Sequence, residues 1–270
     1  MVGILRRPIA HQVGSAVLEV TNLTVRYGDV IALEDVSFEV TLGEQVAVVG
    51  PNGSGKSTLL MAVAGLIPPA RGRVQVFGSG PAGHCCIAYV PQRTQVDWTF
   101  PVSVADVVMM GRTRHVGWLR WPGRADREMV EQSLQTVGLA HLAERQIGEL
   151  SGGQRQRAFI ARALAQEARL MLLDEPLAGL DWPSQQEVLE VLGELRPRGV
   201  TVLFSTHNLN LASERFDRVL LLNRRLVAAG RPEEVLTSDR LYRAYGDQIH
   251  LTPLADKGIL DECCEGREYE

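Results

Sequence analysis

Residues 17–40 alternate apolar and polar positions, broken at Gly28-Asp29. A period of two marks strands with one buried face, so this stretch predicts two antiparallel strands joined by a tight turn. The pattern then changes. Residues 44–50 (Glu-Gln-Val-Ala-Val-Val-Gly), 169–173 and 200–206 are short, nearly continuous apolar runs. Such runs suit parallel strands covered on both faces. Helical spacing takes over between them. Residues 56–62 and 155–164 read as helices, as do 125–137, where Met129, Val130, Leu134 and Val137 fall on one face. Residues 101–149 carry no strong strand signal and read as a helical insertion. Residues 44–92 and 154–223 read as the two halves of an α/β core. The expected organisation is an N-terminal segment (1–16), one domain (17–246) with a helical subdomain inserted at about 93–154, and an acidic tail (247–270).

Composition narrows the class. The chain has 270 residues, 45% of them hydrophobic, enough to bury a sizeable core. A formal net charge of −4 gives no invitation to nonspecific nucleic-acid binding. No apolar run approaches the length of a membrane span. Arg6, Arg7 and Pro8 follow only a few apolar residues, which is not a signal-peptide pattern, so a cytosolic protein is expected. Seven acids against Lys257 and Arg267 make residues 247–270 read as a solvated tail. The cysteines form two adjacent pairs, Cys85-Cys86 and Cys263-Cys264. Adjacent strand residues point to opposite faces, so neither pair, even with His84 nearby, has metal-ligand spacing.

The chemistry begins at Gly50-Pro51-Asn52-Gly53-Ser54-Gly55-Lys56-Ser57-Thr58. This is a complete G-x-x-x-x-G-K-[ST] phosphate loop between a predicted strand and a predicted helix. The glycines let the backbone turn its N–H groups inward, and the helix N-terminus adds a positive dipole end. Lys56 is suited to the β- and γ-phosphates, Ser57 to Mg²⁺ and Thr58 to a phosphate oxygen. Only Lys56 and Lys257 are lysines among 28 basic residues. A compact ammonium fits a phosphate cradle where a planar guanidinium is too bulky. Asp174-Glu175 ends the apolar run 170–173. Ligands collect at the carboxyl ends of such strands, so Asp174 is placed to hold Mg²⁺ and Glu175 to act as general base. His207 ends the run 200–206. Ser151 is a natural N-cap for the helix 155–164, with Gly152 and Gly153 opening its first turn to an anion.

Leu150-Ser151-Gly152-Gly153-Gln154 and the phosphate loop together resemble the ABC-type ATPases, and the likeness runs over residues 17–246. The resemblance implies a P-loop NTPase (RecA-like) fold, an ABC nucleotide-binding domain with an antiparallel β subdomain and an inserted helical subdomain. It implies ATP and Mg²⁺ as cofactors. Tyr27 matches the aromatic that stacks on adenine, Gln92 the glutamine that joins Mg²⁺ to the transporter-contacting segment, and His207 the residue that senses the γ-phosphate. Asn208 follows, where many relatives carry an acid. Ser151, Gly152, Gly153 and Gln154 match the signature that closes over the γ-phosphate of a second, head-to-tail copy. Leu177-Ala178-Gly179-Leu180-Asp181 matches the loop along that interface.

The segment after Gln92, with Trp98, Phe100 and Pro101 and then Met110-Gly111-Arg112, is similar to the ATPase subunits of bacterial manganese, zinc and iron importers. That likeness implies a polytopic membrane permease docked on residues 93–104, an extracytoplasmic metal-binding protein acting indirectly, and a peripheral position on the cytoplasmic face of the inner membrane. Importers of other nutrients remain alternatives. So does a soluble ABC clamp acting on nucleic acid or ribosomes, although such clamps usually carry two cassettes or a long coiled-coil insertion. A nucleotide-gated switch without turnover needs no general base, and Glu175 argues against it.

Overall fold

The computed structural model describes residues 16–81, 86–92, 100–117 and 120–246. The predicted hairpin is present. Strands β1 (Ala16–Tyr27) and β2 (Val30–Thr41) pair antiparallel, and β4 (Arg71–Val76) joins the other edge of β1. The second sheet has six strands in the order β5-β6-β7-β3-β8-β9. Its strands are β3 (Gln45–Val49), β5 (Ile87–Val90), β6 (Leu170–Leu173), β7 (Thr201–Thr206), β8 (Arg218–Asn223) and β9 (Arg225–Gly230). All its neighbours are parallel except β8 and β9. One expectation is refined. Residues 44–92 supply β3, α1 and β5 to the α/β core as expected, but β4 between them joins the antiparallel sheet.

The unbroken apolar runs have a simple cause. Both faces of the parallel sheet are covered, and successive side chains divide between two cores. Val46 and Val48, Leu170 and Leu172, and Leu220 and Leu222 face the core shared with β1, β2, β4 and helix α1 (Lys56–Val63). Ala47 and Val49, Met171 and Leu173, and Val219 and Leu221 face the helical side. That side holds α2 (Val104–Met109), α4 (Arg124–Thr136), α5 (Gly152–Ala165), α6 (Trp182–Leu195), α7 (Leu209–Arg215) and α9 (Ser238–Tyr245). The four-residue helices α3 (Thr113–Val116) and α8 (Pro232–Val235) complete the set of described α-helices. In α4 the predicted stripe is turned inward: Val130, Leu134 and the C-cap Val137 are buried, and Met129 packs at the edge.

Two arginines tie the helical insertion to the core. Arg112 is buried; its Nε donates to Asp126 Oδ1 (3.0 Å), and its Nη1 donates to Ala165 O (2.9 Å) and Glu167 Oε2 (2.8 Å). It therefore neutralises the carbonyl end of α5 while holding the first turn of α4. A Cβ on Gly111 would overlap the carbonyl oxygen of Arg162 in α5, so this position admits only glycine. Met110-Gly111-Arg112 is thus a packing joint. Arg157 of α5 donates to Val137 O (3.0 Å) at the end of α4 and pairs with Glu187 of α6 (3.0 Å). No helix among the described residues is long and apolar enough to cross a membrane.

Candidate functional site

The phosphate loop lies between β3 and α1, as its spacing requires. Gly50 cannot carry a side chain, because a Cβ there would overlap the carbonyl of Leu222. Gly55 has φ 97°, and a Cβ would sit 2.6 Å from Leu33 Cδ2 and 2.8 Å from Ala32 O. The tip is different: Asn52 and Gly53 are exposed, and nothing lies within 4 Å of a Cβ on Gly53. The loop is therefore packed on its inner side and open on its outer side. Pro51 and Ser57 are half-buried; Ser54, Lys56 and Thr58 are buried. Lys56 Nζ donates to Gly50 O (2.9 Å) and Pro51 O (3.2 Å) and pairs with Glu175 Oε1 at 3.7 Å. A cleft bounded by residues 52–58, Ala32, Gln92 and Glu175 opens over these groups.

The acid pair sits where β6 ends, beside the end of β7. Asp174 is only 3% exposed. Its Oδ1 accepts from the hydroxyls of Ser57 (3.0 Å) and Ser205 (2.8 Å), and its Oδ2 from Tyr89 (3.2 Å). Burial and the Asp174 charge push the Tyr89 phenol well above its ordinary range, so it stays protonated and donates. Glu175 follows with φ 43°, a left-handed conformation that is strained for a residue with a Cβ. Its N–H donates to Ser205 Oγ (2.8 Å), which pins the turn and separates the two carboxylates. Glu175 Oε2 accepts from Gln92 Nε2 (3.2 Å). Ser57 Oγ and the Asp174 carboxylate lie within 3.0 Å of each other, oxygen donors that suit a hard divalent cation such as Mg²⁺, and Gln92 borders the same cleft as Ser57. The residues present fit that ion.

Glu175 also borders a second cleft, shared with His207, Ser205 and residues 177–179. His207 is exposed there, just beyond β7. Asn208 takes the place of an acid without disturbing the chain: its side chain caps α7 by accepting from Leu211 N (2.9 Å). Tyr27 ends β1 and is 48% exposed, outside the residues that line either cleft.

Ser151 caps α5 as its position predicts. Its Oγ accepts from Gln154 N (3.3 Å), and its N–H donates to Gln154 Oε1 (2.9 Å), a reciprocal capping box. Gly152 is half-buried. Gly153 has a reason the sequence does not give: a Cβ there would lie 2.6 Å from Ser184 Cβ in α6. None of residues 151–154 lines the phosphate-loop cleft of its own chain. Sequence reasoning also missed Tyr89 and Ser205, whose hydroxyls hold Asp174. The expected docking residue Trp98, most of loop 93–104, His84, Cys85, Cys263, Cys264, segment 1–15 and tail 247–270 lie outside the described residues. Phe100 is described and exposed; Pro101 is also exposed. Cys86 is a half-buried thiol, and no metal-holding cluster occurs among the described residues.

A phosphate loop opening a helix after one parallel strand, with an acid pair ending a second, defines the P-loop nucleoside triphosphatases. Within that class the chain belongs to the ABC transporter family, whose model matches residues 33–178. It is 44% identical over 245 residues to the manganese transport system ATP-binding protein MntB of Bacillus subtilis, covering 90% of this chain and 97% of that one. It is 44% identical over 253 residues to the zinc transport system ATP-binding protein TroB of Treponema pallidum, covering 93% and 95%. A metal-chelate type ABC transporter in an inward-facing conformation superposes with a TM-score of 0.77 at 36% identity, covering 86% of this chain and 89% of that one. An ATP-binding cassette in its ADP conformation gives 0.75 at 26% identity, covering 86% and 98%.

Proposed function

We propose that this chain is the ATP-hydrolysing subunit of an importer for a divalent transition metal: manganese, zinc or iron. The observation that carries the reading is near-full-length likeness to subunits of manganese and zinc transport systems, at 44% identity over at least 90% of the chain. The site supports the chemistry. Lys56 reaches the β- and γ-phosphates of ATP from the loop 50–58, and Tyr27 stacks on the adenine. Ser57, Gln92 and Asp174 hold Mg²⁺, which neutralises charge on the phosphates when bound. Glu175 takes the proton of the attacking water, and His207 touches the γ-phosphate. Ser151, Gly152, Gly153 and Gln154 act on the nucleotide of a second copy packed head-to-tail. This accords with their absence from the phosphate-loop cleft of their own chain.

The pair of subunits works on the cytoplasmic face of the membrane, against a permease that docks near residues 93–104. An extracytoplasmic protein delivers the metal to that permease. Gln92 joins the two functions, since it touches Glu175 and leads directly into the docking segment. Uptake of labelled manganese, zinc and iron by cells lacking this chain tests the cargo. Loss of at least one of the three is expected. Unchanged uptake of all three, with loss of some other nutrient, contradicts the proposal.

A further inference from the structure

Asp174 is a nearly buried carboxylate that must meet a cation at a fixed angle, and its own side chain turns about two single bonds. Something has to fix it. Ser57 and Ser205 both bind Oδ1, on one side of the rigid carboxylate plane, and leave the Oδ2 side to another donor. Tyr89 Oη is that donor, at 3.2 Å, so the carboxylate is held at both oxygens and its rotation about Cβ–Cγ is locked. The contact follows from strand register. Tyr89 lies opposite Leu172 in the parallel β5–β6 pair, and Asp174 is two residues further along on the same face. The Tyr89 ring packs against the core under the antiparallel sheet, so the hydroxyl is delivered from a fixed base. A bond from one side of Oδ2 leaves its other lone pair pointing in one direction. Gln92 stands three residues beyond Tyr89, just past the end of β5, so one short segment touches both acids: Tyr89 holds Asp174, and Gln92 binds Glu175.

We propose that Tyr89 is a positioning residue for the divalent cation. Its hydroxyl orients the Asp174 carboxylate and so tightens binding of the ion. The inference rests on the assignment of Asp174 to the Mg²⁺ site. Tyr89→Phe keeps the ring and removes only the hydroxyl. The readout is Mn²⁺ in place of Mg²⁺, with free Mn²⁺ counted by its electron paramagnetic resonance signal during titration of the ATP-loaded chain. Loss of an outer partner of a metal ligand typically weakens metal binding about tenfold or more. The Mn²⁺ dissociation constant should therefore rise by about tenfold in Tyr89→Phe. ATP binding without any divalent ion should stay as in the unsubstituted chain, which shows that the variant is folded.

A second variant separates positioning from packing. If Tyr89 acts through Asp174, adding Tyr89→Phe to Asp174→Asn should change Mn²⁺ binding no further. Equal Mn²⁺ affinity in Tyr89→Phe and the unsubstituted chain overturns the inference alone, and so does an undiminished effect of Tyr89→Phe in the Asp174→Asn background. Absence of ATP-dependent Mn²⁺ binding in the unsubstituted chain overturns it together with the metal-site assignment.

Discussion

At the scale of single residues, the two acids that end β6 have different surroundings and therefore different work. Asp174 is buried and accepts three hydroxyl bonds, which hold its carboxylate in one orientation. Glu175 is turned away by its left-handed backbone, borders both clefts and meets Lys56 and Gln92. It borders open space on two sides, whereas Asp174 lines neither cleft. Glu175→Gln should therefore bind ATP normally and hydrolyse it about 10²–10⁴-fold more slowly, because an amide accepts no proton. Phosphate release under single-turnover conditions checks this, and normal turnover would remove Glu175 as the base. The acid pair and the loop 50–58 are legible in the sequence because each is a contiguous motif, whereas His207 is singled out only through the family resemblance. Tyr89 and Ser205 are not legible there. Their partner Asp174 is 85 and 31 residues away, and only strand register brings them together.

At the scale of elements, pattern and structure agree where one periodicity runs unbroken. The alternating hairpin, the buried strands and the α4 stripe are all found where the spacing predicts them. The exception is β4, whose Arg-Gly-Arg start carries no apolar face and whose membership of the outer sheet depends on pairing with β1. The glycines of the signature show a similar limit. From sequence, Gly153 reads as an opening for an anion; in the fold it is also the point where α5 meets α6. Gly153→Ala should cost about 1–3 kcal/mol, the usual range for overpacking a tight contact. Ser184→Gly in the same chain should recover part of that loss. Urea unfolding of the two single variants and the double variant tests the coupling, and strict additivity would contradict it.

At the scale of the whole molecule, one chain supplies a phosphate loop, two acids and a capped helix whose signature, residues 151–154, lines no part of the phosphate-loop cleft of the same chain. The helical insertion carrying that signature is anchored to the core through Arg112 and Arg157, so it presents residues 151–154 on a firm support. The expectation of a head-to-tail second copy comes from the resemblance to ABC-type ATPases, because the periodicities of one chain report only its own core. The central claim is that ATP joins two copies, because each nucleotide lies between the phosphate loop of one and the signature of the other. The molar mass of the Glu175→Gln chain, measured by light scattering with and without ATP and Mg²⁺, tests that claim most directly. A ligand that bridges two subunits stabilises their complex by mass action. The 29.7 kDa chain should run as a monomer alone and at about twice that mass with ATP, and Ser151→Arg added to it should abolish the shift while ATP still binds. A mass that stays the same with ATP bound, or a dimer indifferent to Ser151→Arg, would contradict the shared site.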